Sequence, residues 1–241
     1  MSLRDQRVLI IGGTSGLGLA VADAVIQRGG SVVVASRQQS RVDSAVAQLG
    51  PRAAGTIADP RDERALTELL EFAGPIDHLV YTAAEALQMT MLADLEPQRI
   101  RDFWETRYVG AISAVRAAMA VSAIRDGGSI VLTSGNAALR PGPGWALGAS
   151  VCGAMDALTR QLALELAPIR VNNVAPGVTR SPLWSAMTEA EQEAMFEQIG
   201  SGLPVGRVAD PADVALAYVY AMEQSMATGT SILVDGGAVL V

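Results

Sequence analysis

The stretch RVLIIGGTSGLGLA, residues 7–20, runs from an apolar, β-branched segment straight into Gly12, Gly16 and Gly18, spaced G-x-x-x-G-x-G. Glycine permits a tight turn and lets the backbone come close to a pyrophosphate, which then rests on a helix N-terminus. The spacing is not G-x-G-x-x-G, and a glycine-rich turn alone also describes an ordinary strand-to-helix connection. Its position, after a first strand and before an apolar helix, favours a phosphate cradle. Thr14, Ser15 and Leu17 belong to the same turn and are expected to line it.

Outward from this turn, apolar runs alternate with helix-length segments, the pattern of βα units on a parallel sheet. Strands are predicted at 8–11, 31–35, 55–58, 78–82, 129–133, 170–174 and 231–234. Amphipathic segments begin near Gly16, Gln38, Arg61, Pro97, Trp145 and Pro211. The most irregular region is 177–206. With no linker, internal repeat or low-complexity tract in the chain, the economical reading is one doubly wound α/β domain over residues 1–241. It would hold a Rossmann-type sheet of about seven strands with helices on both faces.

Composition narrows the function. The 241 residues are half hydrophobic, yet no run approaches the ~18 apolar residues of a membrane span, and the N-terminus enters a strand at once. A cytoplasmic protein without membrane attachment is the expectation. The net charge of −7 argues against nucleic acid as a partner. A single cysteine, Cys152, precludes an internal disulfide and fits a reducing compartment. All 18 basic residues are arginine, so every lysine-dependent mechanism is ruled out.

The second strand ends VVVASRQQS, with no acidic residue between Ser31 and Val42. An acid here would hold the 2′-hydroxyl of an unphosphorylated cofactor; Ser36 and Arg37 stand there instead. A guanidinium suits a 2′-phosphate by charge and by its forked donors, which points to NADP(H) over the alternative of a plain solvated arginine.

Together these segments resemble the short-chain dehydrogenase/reductase family over nearly the whole chain. Gly12, Gly16 and Gly18 fall on its cofactor glycines. Asp59, closing the third strand in IADP, matches the acidic residue beside the adenine. GGSIVLTSG (127–135) resembles the strand leading to the active-site serine, here Ser134. LTRQLALELAPIRVNNVAPGV (158–178) is similar to the helix, strand and Pro-Gly turn beyond the active site, ending at Pro176, Gly177 and Val178. The resemblance implies a homodimer or homotetramer.

The departures cluster in one place. Where the family has Asn-Asn-Ala-Gly, this chain has Tyr81, Thr82, Ala83 and Ala84, of which Thr82 and Ala83 are still expected beside the cofactor. Arg107 occupies the position of an asparagine. The Tyr-x-x-x-Lys pair falls on Gly148 and Cys152. In the family that tyrosine is the general acid and the lysine lowers its pKa and holds the nicotinamide ribose. Loss of a general acid costs about 10²–10⁴ in rate. Ser134 could still hydrogen-bond a substrate oxygen, and Arg107 could polarise one as a fixed cation. Cys152 reads as packing, and His78, the single histidine, as structural at the far end of its strand. No metal cluster is expected.

Three readings stay open. The first is an NADP(H)-dependent oxidoreductase with a non-standard active site, Ser134 and Arg107 carrying its chemistry. The second is a silent NADP(H)-binding homologue acting as sensor or partner subunit. The third is a non-redox enzyme such as a dehalogenase or lyase, which should have kept its proton-transfer groups and lost its cofactor loop. The intact cofactor end and the retained serine favour the first. Trp145, Trp184, Met187, Met195 and Phe196 suggest an apolar wall for a small apolar substrate, or core.

Overall fold

In the computed structural model, which describes residues 2–87 and 89–241, seven strands alternate with helices along the chain. The strands are β1 (Arg7–Ile11), β2 (Ser31–Ser36), β3 (Ala53–Ile57), β4 (Ile76–Tyr81), β5 (Ile124–Thr133), β6 (Arg170–Pro176) and β7 (Ser231–Val234). All pairs are parallel, in the order β3-β2-β1-β4-β5-β6-β7. The expected Rossmann-type sheet is therefore present, and each predicted strand lies on an observed one.

Side chains alternate along each strand and divide the core in two. Leu9 and Ile11 of β1, with Leu79, Ile130 and Val171, face α3 (Glu63–Ala73), α5 (Gly110–Ala120) and α6 (Ala146–Glu165). Val8 and Ile10, with Val32, Val34, Val80 and Val131, face α1 (Gly16–Gln27), α2 (Gln39–Leu49) and α8 (Pro211–Glu223). Both faces of the sheet are thus covered by helices, and the central strands read as continuous apolar runs.

Two features were not foreseen. The region 177–206, expected to be irregular, holds α7 (Glu189–Ser201). The Thr188 hydroxyl oxygen accepts from the Glu191 amide, and the Glu191 carboxylate accepts from the Thr188 amide, so the sequence TEAE was a capping box. Its weak amphipathic pattern hid the helix. The second feature lies between α4 (Pro97–Trp104) and α5, which join through one π-helical turn at Glu105–Val109. That turn carries Arg107, and π turns concentrate at functional sites. Among the described residues no helix is long and apolar enough to cross a membrane.

In the amino-terminal half of β4, away from the site, His78 is fully buried between the Ser129 hydroxyl and the Gln6 side-chain carbonyl, each 2.8 Å away. Burial, aided by the charge of Arg170, lowers its pKa from 6.5 to about 4. The unfolded chain therefore binds this proton at higher pH than the folded one. Above pH 6.5 the group has no effect; between 6.5 and 4 stability falls as pH falls. The expected loss is about 2 kcal/mol between pH 7 and pH 5. Denaturant melts of the wild type and of His78→Gln should show this slope flattened in the variant; parallel profiles would contradict it.

Candidate active site

The carboxyl ends of the strands open on a cavity of ≈ 510 Å³. It lies where the strand order turns back at β1, the place where open α/β sheets bind ligands. One end is built by the β1–α1 turn. Gly12 has φ +91°, and a Cβ on it would lie 2.6 Å from the Ala83 nitrogen. On Gly18 a Cβ would lie 2.3 Å from the Gly12 carbonyl oxygen. These approaches press the turn against the end of β4 and leave the first turn of α1 facing the cavity. Ser15 stands at its N-cap in an extended conformation and makes no side-chain capping bond, and the first turn carries no acid. Free amides of this kind fit a phosphate group.

The expected phosphate residues Gly12, Thr14, Ser15, Gly16, Leu17 and Gly18 all line the cavity. Ser36 and Arg37 line it from the end of β2, Thr82 and Ala83 from the end of β4, and Pro176, Gly177 and Val178 from the end of β6. Arg41, in the first turn of α2, joins Arg37 on the rim; both are exposed, and among the described residues neither side chain has a hydrogen bond or ion pair. Arg41 stands four residues after Arg37, a spacing visible in the sequence once a helix is known to begin between them. Asp59 is the exception. It does not line the cavity, and its carboxylate is held by Arg61 at 2.6 Å, an ion pair that lowers its pKa.

At the other end Ser134, Arg107, Gly148 and Cys152 meet, as the resemblance implied. The Ser134 hydroxyl donates to the carbonyl oxygen of Cys152 at 3.1 Å, so its only proton is engaged with α6. Burial pushes the Cys152 thiol up to about 11, with the Arg107 charge working against the rise. The thiol is therefore neutral and unactivated. Gly148 leaves no side chain, and the ring of Trp145 stands beside the gap, 3.3 Å from where a Cβ would be. Trp145 in turn packs edge-on against Trp184, with ring centroids 6.2 Å apart. Both indoles line the cavity with Leu87 and Leu183. Met187, Met195 and Phe196, grouped with them in the sequence reading, do not line it; they stand behind the indoles, in the apolar cluster that Trp184 shares with Leu203 and Val208.

Arg107 is held by neighbours the sequence did not announce. Its guanidinium lies over the Phe103 ring at 4.4 Å, donates from Nη2 to the Glu85 carbonyl oxygen at 2.7 Å, and has its Nε 3.8 Å from Glu85 Oε2. Glu85, four residues past the end of β4, carries no motif. Tyr81, the last residue of β4, is sealed in the core with its hydroxyl donating to the carbonyl of Thr106 in the π turn, and burial raises its pKa. It is therefore not a displaced catalytic tyrosine. Among the described residues no group of His, Cys, Asp and Glu could hold a metal ion.

Comparison with known proteins agrees with this geometry. A family model described as an SDR-like Rossmann domain matches residues 2–241. Short-chain dehydrogenase/reductase malC of Malbranchea aurantiaca is 32% identical over 253 residues, covering 99% of this chain and 96% of its own. The solved MalC reductase/Diels-Alderase from the same organism superposes with a TM-score of 0.91, covering 99% and 98% of the two chains. A small-chain dehydrogenase solved in complex with NADPH is 34% identical, with a TM-score of 0.86 and coverage of 98% and 100%. An NADPH-bound short-chain oxidoreductase of Pseudomonas aeruginosa, described as containing an atypical catalytic center, is 25% identical with a TM-score of 0.88 over 96% of each chain.

The Trp145 ring sets the cost of refilling the gap. Gly148→Ala should be nearly neutral, because a gain in helix propensity of ~1 kcal/mol offsets the small shift demanded of the indole. Gly148→Tyr must move Trp145 outright, at a cost of about 1–3 kcal/mol. A lowered melting temperature with altered tryptophan emission in the tyrosine variant alone is the expected result.

Proposed function

The chain belongs to the short-chain dehydrogenase/reductase family, and from that premise we propose that it is an NADP(H)-dependent oxidoreductase in which Ser134 and Arg107 hold the substrate oxygen. One observation carries the reading: a single cavity joins an uncapped helix N-terminus and two unpaired arginines to Ser134 and Arg107. A silent nucleotide-binding homologue would not need the second end kept open.

The residues present fit the cofactor. The close-packed glycines of the first turn and the free amides of α1 suit the pyrophosphate, and Arg37 with Arg41 suits the 2′-phosphate. Thr82, Ala83, Pro176, Gly177 and Val178 are assigned to the nicotinamide half. Asp59 contributes at the adenine only by sharing its carboxylate with Arg61. NADPH-bound relatives support the same choice of cofactor. When bound, the cofactor supplies or accepts a hydride.

The chain itself supplies position and charge. Ser134 can accept from a substrate hydroxyl as it stands, or donate its proton to a substrate carbonyl oxygen once it releases the Cys152 carbonyl. Arg107 offers donors and a permanent positive charge. Trp145, Trp184, Leu87 and Leu183 exclude water around a small apolar substrate. The whole chain works as one nucleotide-binding domain. Exposed Leu164 on α6, and Leu216 and Tyr220 on α8, supply apolar surface for a homodimer or homotetramer.

Calorimetry should find NADPH bound more tightly than NADH by ~1.5–3 kcal/mol, the worth of hydrogen bonds to a charged group. Arg37→Asp should reverse that order, and Arg41→Ala should lose part of it; equal affinities in the wild type would end the cofactor assignment. In turnover assays Ser134→Ala should abolish activity, whereas Cys152→Ala should leave it nearly unchanged. Strong loss from the cysteine change would mean that the thiol takes part in the chemistry.

A further inference from the structure

Arg107 has five N–H donors, and among the described residues only one hydrogen bond uses them, from Nη2 to Glu85. Its side chain is only 18% exposed, its enclosed Nε makes no hydrogen bond, and burial depresses its pKa. A cation so placed, lining a cavity, calls for an oxygen acceptor from the ligand. The Glu85 carboxylate alongside limits what that acceptor can be. Its 3.8 Å approach makes the pair formally neutral, so a permanently anionic ligand would meet a like charge as it met the guanidinium. An oxygen that is neutral on arrival and becomes anionic in the reaction gains from Arg107 without that initial repulsion.

The rest of the site says what kind of oxyanion it becomes. A simple ketone taking up hydride becomes an alkoxide, a strong base that must be protonated at once. Gly148 offers no acid, the Ser134 proton is engaged, and Cys152 is a weak S–H donor. An enolate, with its charge delocalised over oxygen and carbon, is a much weaker base and needs only a fixed positive donor. We propose that Arg107, balanced by Glu85, is an oxyanion holder for conjugated carbonyl substrates, so that the enzyme reduces α,β-unsaturated ketones or aldehydes at the double bond.

The step balances. The β-carbon receives the hydride from NADPH, which leaves as NADP⁺, and the alkene pair moves to give C=C–O⁻ against Arg107. The weakly basic enolate survives until it reaches solvent, where water protonates the α-carbon, leaving hydroxide and the saturated carbonyl. The proposal rests on the oxidoreductase reading above and adds the substrate class and a role for Glu85.

A spectroscopic test uses 4-nitrophenol, whose phenolate mimics the enolate and absorbs apart from the phenol. On the protein loaded with NADP⁺, the phenolate should bind about tenfold more tightly than the phenol, seen as a drop of about one unit in the apparent pKa of the bound probe. Arg107→Gln should remove the drop and Arg107→Lys restore part of it. Glu85→Gln should enlarge it, which a merely structural glutamate would not do. The double variant Glu85→Gln/Arg107→Gln guards against misfolding from a lone carboxylate and should bind NADPH normally with no drop. In parallel, 2-cyclohexenone should be reduced with NADPH while cyclohexanone stays at background. A bound probe with no shift, no probe binding by protein that still binds NADPH, or faster ketone than enone reduction would each overturn the inference. Failure to bind NADPH would overturn the oxidoreductase reading itself.

Discussion

The backbone at Gly12 passes so near Thr82 and Ala83 that one added carbon would stand 2.6 Å from a main-chain nitrogen. This approach ties the first turn to the end of β4, and the crevice exists because of it. With β1 and β4 adjacent at the point where strand order reverses, the helices after them leave toward opposite faces of the sheet. Gly18 repeats the constraint one turn later against the Gly12 carbonyl, which fixes the direction of α1 and hence of its free amides. The two cores, one per face, hold the strands that keep this spacing.

The contrast between the two ends of the cavity is electrostatic. At the nucleotide end, positive charge is exposed and uncompensated, on Arg37 and Arg41. At the substrate end, it is enclosed and neutralised, Arg107 by Glu85, under apolar walls. Exposed charge attracts a permanent anion at the cost of screening by salt. Enclosed, balanced charge rewards an anion that forms after water has been expelled. The same residue type thus serves binding at one end and reactivity at the other.

What the sequence disclosed followed from repetition. Strands such as VLII and VVVA show their nature in every residue, and the glycines announce a turn because few other residues could occupy it. Features resting on one long-range contact stayed hidden. Glu85 gains its meaning only from Arg107, 22 residues away, and Trp145 only from the gap at Gly148. Asp59 matched an adenine ligand by position, and only the fold shows that its carboxylate is shared with Arg61, two residues on. The helix 189–201 was an avoidable omission, since Thr188 and Glu191 carried its start signal, but its apolar side chains form no clear stripe. For Met187, Met195 and Phe196 the sequence left wall and core open, and the fold places them in the core, because apolar side chains near a site serve either.

The π turn at Glu105–Val109 also bears on how this site can change over time. Each residue of a helix advances direction by about 100°, so the turn acts as a phase setting between α4 and α5. It aims position 107 at the cavity while Tyr81 anchors the carbonyl of Thr106. Side chains can be exchanged at position 107 without disturbing that setting, because the contact that anchors the turn is made by the main chain of Thr106. A single inserted or deleted residue between Pro97 and Gly110 would instead rotate the position away and release the tyrosine. Chemical novelty at this site is therefore open to substitution and closed to changes in length.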